Sequence, residues 1–84
     1  QIADLPYLGR AAMGLKISVM LEDIPDDSII GHSILKGVRN GRTSEAIKMI
    51  ADQAKDNREL MILVLGKHGN EIMKLIDNYL NTPR

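Results

Sequence analysis

Cysteine, tryptophan and phenylalanine are absent from the 84-residue chain, and its only aromatic rings are Tyr7 and Tyr79. Without cysteine there is no disulfide, thiolate metal ligand or cysteine nucleophile, and redox chemistry says nothing about compartment, so localisation stays unassigned. Two tyrosines are too few for the stacking platform on which unpaired bases are bound. An excess of one charge is missing too: eleven basic residues face eleven acidic ones. That balance removes the broad positive field needed for general nucleic-acid binding or polybasic membrane attachment. The longest apolar run, Leu60 to Leu65, is six residues, whereas a membrane-spanning helix needs about 20. The chain starts at Gln1 with neither an initiator Met nor the basic-then-apolar layout of a signal peptide, so the expectation is an excised or processed piece of a longer protein.

What is present is aliphatic. Apolar residues make up 44% of the chain against 26% charged, which predicts a buried core rather than a disordered tail. The length allows one helical domain over residues 1–84, with Gln1 to Leu5 and Asn81 to Arg84 frayed. Ile, Leu and Met supply most of the apolar side chains, and their spacing is helical.

From Leu5 to Glu22, Leu5, Leu8, Ala12, Leu15 and Val19 recur at three and four, with Pro6 suited to the first turn. Met13, Ile17, Met20 and Leu21 fall on a second side, so this helix is apolar on more than one face. Gly9, Ala11, Ala12 and Gly14 form a small-residue patch that permits close backbone approach. Pro25 disfavours helix at Ile24, and a second helix follows with Asp26 or Asp27 as N-cap. Ile30, Ile34 and Val38 form its stripe, widened by Ile29 and Leu35, and Asn40-Gly41 ends it. Thr43 or Ser44 caps a third helix with Ala46, Ile47, Ile50, Ala51 and Ala54 on one face and Glu45, Lys48, Asp52 and Lys55 on the other. Asp56 and Glu59 have capping-box spacing before Leu60 to Leu65, which reads as a central helix apolar all round. Gly66-Lys67-His68-Gly69 interrupts, Asn70 caps a fifth helix, and Ile72, Leu75, Ile76, Tyr79 and Leu80 mark its inner face. The predicted fold is all-α, a compact irregular bundle of about five short helices.

Catalytic patterns are lacking. His32 and His68 belong to no His-x-x-x-His or His-Glu-x-x-His arrangement, so neither metal nor other cofactor is expected. The serines and threonines sit in no Gly-x-Ser-x-Gly turn. Asp26 and Asp27 are adjacent and cannot flank a substrate as paired carboxylates do. The glycines match no phosphate-loop fingerprint. The chain reads as non-enzymatic.

Lys36, Arg39 and Arg42 concentrate positive charge at a helix C-terminus, where the dipole favours it. Arg39 and Arg42, with Thr43 and Ser44 at the next helix start, make a candidate anion site. A helix-turn-helix reading of Ile50 to Leu60 fails because its second helix would present Leu60 to Leu65 to the groove. The expected function is therefore non-catalytic association with a protein partner or with further copies of the chain. The candidate interface is Met13, Ile17 and Met20, supported by Asp23, Asp26 and Asp27 set against Lys36, Arg39 and Arg42. A nucleic acid or phosphate ligand on residues 36–42 is the less favoured alternative.

Overall fold

The computed structural model describes residues 9–82. The helical periods become five α-helices: α1 (Gly9–Leu21), α2 (Ile29–Arg39), α3 (Thr43–Asp56), α4 (Arg58–Leu65) and α5 (Gly69–Asn81). One 3₁₀ turn, Gly66–His68, joins α4 to α5, and no strand occurs among the described residues. The expected start of the first helix at Leu5 and Pro6, and the fraying of Gln1 to Leu5 and of Pro83 and Arg84, lie outside the described residues. Asn81 closes α5, and the Thr82 hydroxyl donates to the Asn78 carbonyl at 2.6 Å, so this end is held.

Each helix gives its apolar stripe to one core. α1 contributes Ile17 and Leu21, α2 Ile34, Leu35 and Val38, and α3 Ala46, Ile47 and Ile50. Met61 and Leu65 enter from α4 and Ile72, Met73 and Ile76 from α5, while Ile24 plugs the core from the α1–α2 loop. No polar or charged residue is buried among them. α1 packs on α5, α2 on α3, and α4 on both α3 and α5. Aliphatic side chains fill such a core by interdigitation rather than by large single anchors.

Several local expectations need correction. Ser28, rather than Asp26 or Asp27, caps α2: its Oγ accepts the Gly31 N–H at 2.9 Å. The two aspartates stand before the helix, where the dipole favours their charge, and Asp26 also holds His32 at 2.8 Å. Ile29 does not widen the buried stripe, for the first residue of α2 points to solvent and is 87% exposed. α4 is not central. Met61 and Leu65 are buried, but Leu60 is exposed and Leu63 is 76% exposed. An eight-residue helix lying at the side of the bundle offers one stripe to the core and leaves the other wet. Its cap is Asn57, whose Oδ1 accepts the Leu60 N–H at 3.0 Å in place of the Asp56–Glu59 box. Asn70 caps nothing, because α5 begins directly from the 3₁₀ turn with His68 in the cap position.

The α2–α3 corner follows from Gly41. At φ +77° it takes the left-handed conformation that ends α2, with Gly41 N–H bonded to Val38 O at 3.1 Å and Arg42 N–H to Gly37 O at 2.8 Å. This is a Schellman closure. It delivers the chain straight into α3, so Arg42 occupies the cap position and Thr43 is already helical. Neither Thr43 nor Ser44 caps. At the α4–α5 corner the constraint is space: a Cβ on Gly69 would fall 2.1 Å from the Ile62 carbonyl oxygen.

Two consequences can be measured by urea unfolding. Ser28→Ala should lower stability by about 1 kcal/mol, whereas Asp27→Ala should change it by no more than about 0.5 kcal/mol. Gly69→Ala should cost about 1–3 kcal/mol, because the clash is with backbone and forces the α4–α5 corner to shift.

Candidate functional site

α1 is the helix on which the candidate interface turned, and its two apolar sides have opposite fates. Ile17 is 0% exposed and Leu21 is likewise buried, so Ile17 belongs to the core and not to an outer face. Met13 and Met20 are half-buried on either side of it, and Met20 packs against the core. The free side is the other one: Leu15 is 71% and Val19 66% exposed. Helical spacing puts Ala11 and Ala12 one turn before Leu15 on the same side. The reason α1 settles this way is partly polar. Ser18 reaches α3, where Thr43 Oγ1 donates to its hydroxyl at 3.2 Å, and Gly14 admits α5.

The charged half of the expected interface is also reorganised. Asp23, Asp26 and Asp27 are exposed before α2. Lys36, Arg39 and Arg42 are exposed at or just beyond its far end. A stretch of α2 separates the basic residues from the acidic group, from about 10 Å of helix at Lys36 to its full length at Arg39, and no ion pair joins the two groups among the described residues. Each group complements the nearer pole of the α2 dipole. Asp23 and Met20 border a cavity of about 550 Å³ beside the 3₁₀ turn.

The four residues of the expected anion site do not converge. Arg39 lies in a shallow depression with His32, Lys36 and Asn40. Arg42 lines another with Lys36 and the carboxylate-bearing Glu45. Thr43 is turned towards Ser18. Ser44 instead lines a separate cavity of about 620 Å³.

That cavity gathers residues from three helices. Arg10 comes from α1, Ser44, Ile47 and Lys48 from α3, and Tyr79 and Leu80 from α5. The Tyr79 ring passes so near α1 that its Cε1 would be 3.2 Å from a Cβ on Gly14. One turn earlier on α1, the Arg10 guanidinium carbon stands over the same ring, 4.5 Å from its centroid. Arg10 Nε is shielded there and has no hydrogen-bond partner among the described residues. Sequence reading missed this group, because Arg10 and Lys48 are far apart in the chain and Lys48 reads as part of the charged face of α3. The one available signal was Gly14, whose small size marked α1 for a close neighbour.

No group of three or more His, Asp or Glu side chains that could hold a metal ion forms among the described residues. None of the described helices is long and apolar enough to cross a membrane.

The two sides of α1 are separable by stability. Ile17→Ala should lower the unfolding free energy by about 2–5 kcal/mol, whereas Leu15→Ala should change it by about 0.5 kcal/mol or less, as read by urea denaturation.

No protein-family model matches this chain, and no curated protein or solved structure matches it either.

Proposed function

We propose that the chain is a non-catalytic helical module that works by protein–protein association, in the first place with a second copy of itself, through the outer face of α1. The observation that carries this reading is the Leu15–Val19 ridge: two branched apolar side chains, one turn apart, both mostly in water. Side chains of this kind gain about 25 cal/mol for each Å² of apolar surface removed from water. The face is also suited to a twofold. In an antiparallel pair of α1 helices centred on Leu15, each Val19 comes over the partner copy's small side, at Ala11 and Ala12. Large against small at a crossing is what lets helix surfaces interdigitate.

The alternative, a nucleic acid or phosphate ligand on residues 36–42, has weaker support. Lys36, Arg39 and Arg42 border separate depressions, and Glu45 stands beside Arg42.

Light scattering over a dilution series tests the proposal. From about 1 μM to about 1 mM protein, a range covering association free energies of about −8.2 to −4.1 kcal/mol, the average mass should rise towards that of a dimer. Leu15→Lys with Val19→Lys should abolish the rise without unfolding the chain, since both positions are exposed. A mass that stays monomeric throughout, or a rise that survives the double substitution, would refute association through α1.

A further inference from the structure

We propose that the cleft between α1, α3 and α5 is a binding site for a small phosphate monoester carrying an aromatic or otherwise apolar body, its phosphoryl group held between Arg10 and Lys48. This site is distinct from the outer face of α1 and does not rest on it.

Four features point to that ligand chemistry. At about 620 Å³ the cleft is within the range of roughly 300–1,000 Å³ usual for small-molecule sites. Among the described residues its lining includes two cations and no carboxylate, in a chain whose total charge is zero. Some other cations are paired, Arg58 with Asp77 at 2.8 Å and Lys55 with Asp52 at 3.8 Å, while Lys36 and Arg39 border a depression of their own without an ion pair among the described residues. Lys48 makes no ion pair among the described residues. Among the described residues, then, two positive charges border the cleft with no carboxylate in its lining.

Arg10 is moreover held in place. The Tyr79 ring beneath it supplies a cation–π contact, and Gly14 lets that ring lie close against α1. A guanidinium positioned this way loses less freedom on binding and offers N–H donors in the planar fork that suits phosphate. Lys48 adds a mobile second charge from α3, and Ser44, one turn before it, adds a hydroxyl that can donate to a phosphoryl oxygen. Two cations match the charge of a dianionic phosphate better than that of a monoanionic carboxylate. The accessible walls that remain, Leu80 and the Tyr79 ring, are apolar or aromatic, which calls for a ligand body rather than free phosphate.

Phenyl phosphate, inorganic phosphate, benzoate and benzyl alcohol, titrated separately into ¹⁵N-labelled protein and followed by NMR, decide the matter. Phenyl phosphate should shift the amides of Arg10, Ser44, Lys48 and Tyr79 saturably, and bind more tightly than each of the other three. Added salt should weaken it. Lys48→Met should raise its dissociation constant about tenfold, as should Arg10→Met, each removing one charged hydrogen-bonding partner. Lys48 is exposed, so its substitution reads out even if Arg10→Met disturbs α1. Lys36→Met and the Leu15→Lys, Val19→Lys pair should leave binding unchanged. Benzoate or inorganic phosphate binding as tightly as phenyl phosphate would overturn the assignment of ligand class. Absence of saturable shifts at these four residues, an unchanged constant in Lys48→Met, or dependence on Lys36 instead would overturn the site.

Discussion

How near α1 can lie to α5 governs the rest of this molecule. The limit is the contact between Gly14 and the Tyr79 ring, where a single added methyl group would already press on the ring edge at 3.2 Å. With that approach allowed, Ile17 and Leu21 reach the common core and α1 turns its remaining apolar side outward. The same approach puts Arg10 above the ring and opens a cleft bordered by α3. Core, outer ridge and cleft are thus three results of one close packing. It matters more here than in an aromatic-rich protein, because the chain has neither Phe nor Trp to bridge a wider gap.

The electrostatics are organised on the scale of individual helices. Acidic residues precede α2 and basic ones close it, so what reads along the chain as an acidic and a basic corner is dipole compensation at two ends of one helix. Exposed pairs such as Arg58–Asp77 and Lys55–Asp52 add little stability, since solvent screens them. Arg10 and Lys48 share a cleft in whose lining no carboxylate occurs among the described residues. A balanced total charge therefore coexists with a locally positive cleft.

The proposed association and the proposed ligand site use different parts of α1. Leu15 and Val19 lie on the side away from the core, whereas Arg10 and Gly14 face α5. Occupying the cleft would bridge α1 to α3, so a ligand there would bear on the rigidity of the helix whose outer face is proposed to meet a second copy. The two proposed sites adjoin at Ala11, which lines the cleft and also belongs to the small side that would face a second copy.

Much of the secondary structure was legible in the sequence, because helix periods and chain breaks are local properties. Three- and four-residue spacing gave four of the five helices, the capping-box spacing before Leu60 to Leu65 gave the other, and Pro25, Asn40-Gly41 and Gly66 to Gly69 marked where they stop. Caps were less legible. Ser28 and Asn57 each won over a neighbouring aspartate, a choice made by one residue's position relative to the first helical turn. The sides of α1 could not be ranked at all: Leu15 with Val19 and Ile17 with Leu21 are equally apolar stripes, and only packing against α5 and the Ser18–Thr43 hydrogen bond selects the second. The cleft lay further still from view. Arg10, Ser44, Lys48 and Tyr79 belong to three helices well apart in the chain, and a local pattern carries no information about which helix ends meet. What the sequence determined alone was the all-α class and its breakpoints. Tertiary structure decided which apolar surface is hidden and which charges share a space, because both depend on contacts between residues that have no periodic relation to one another.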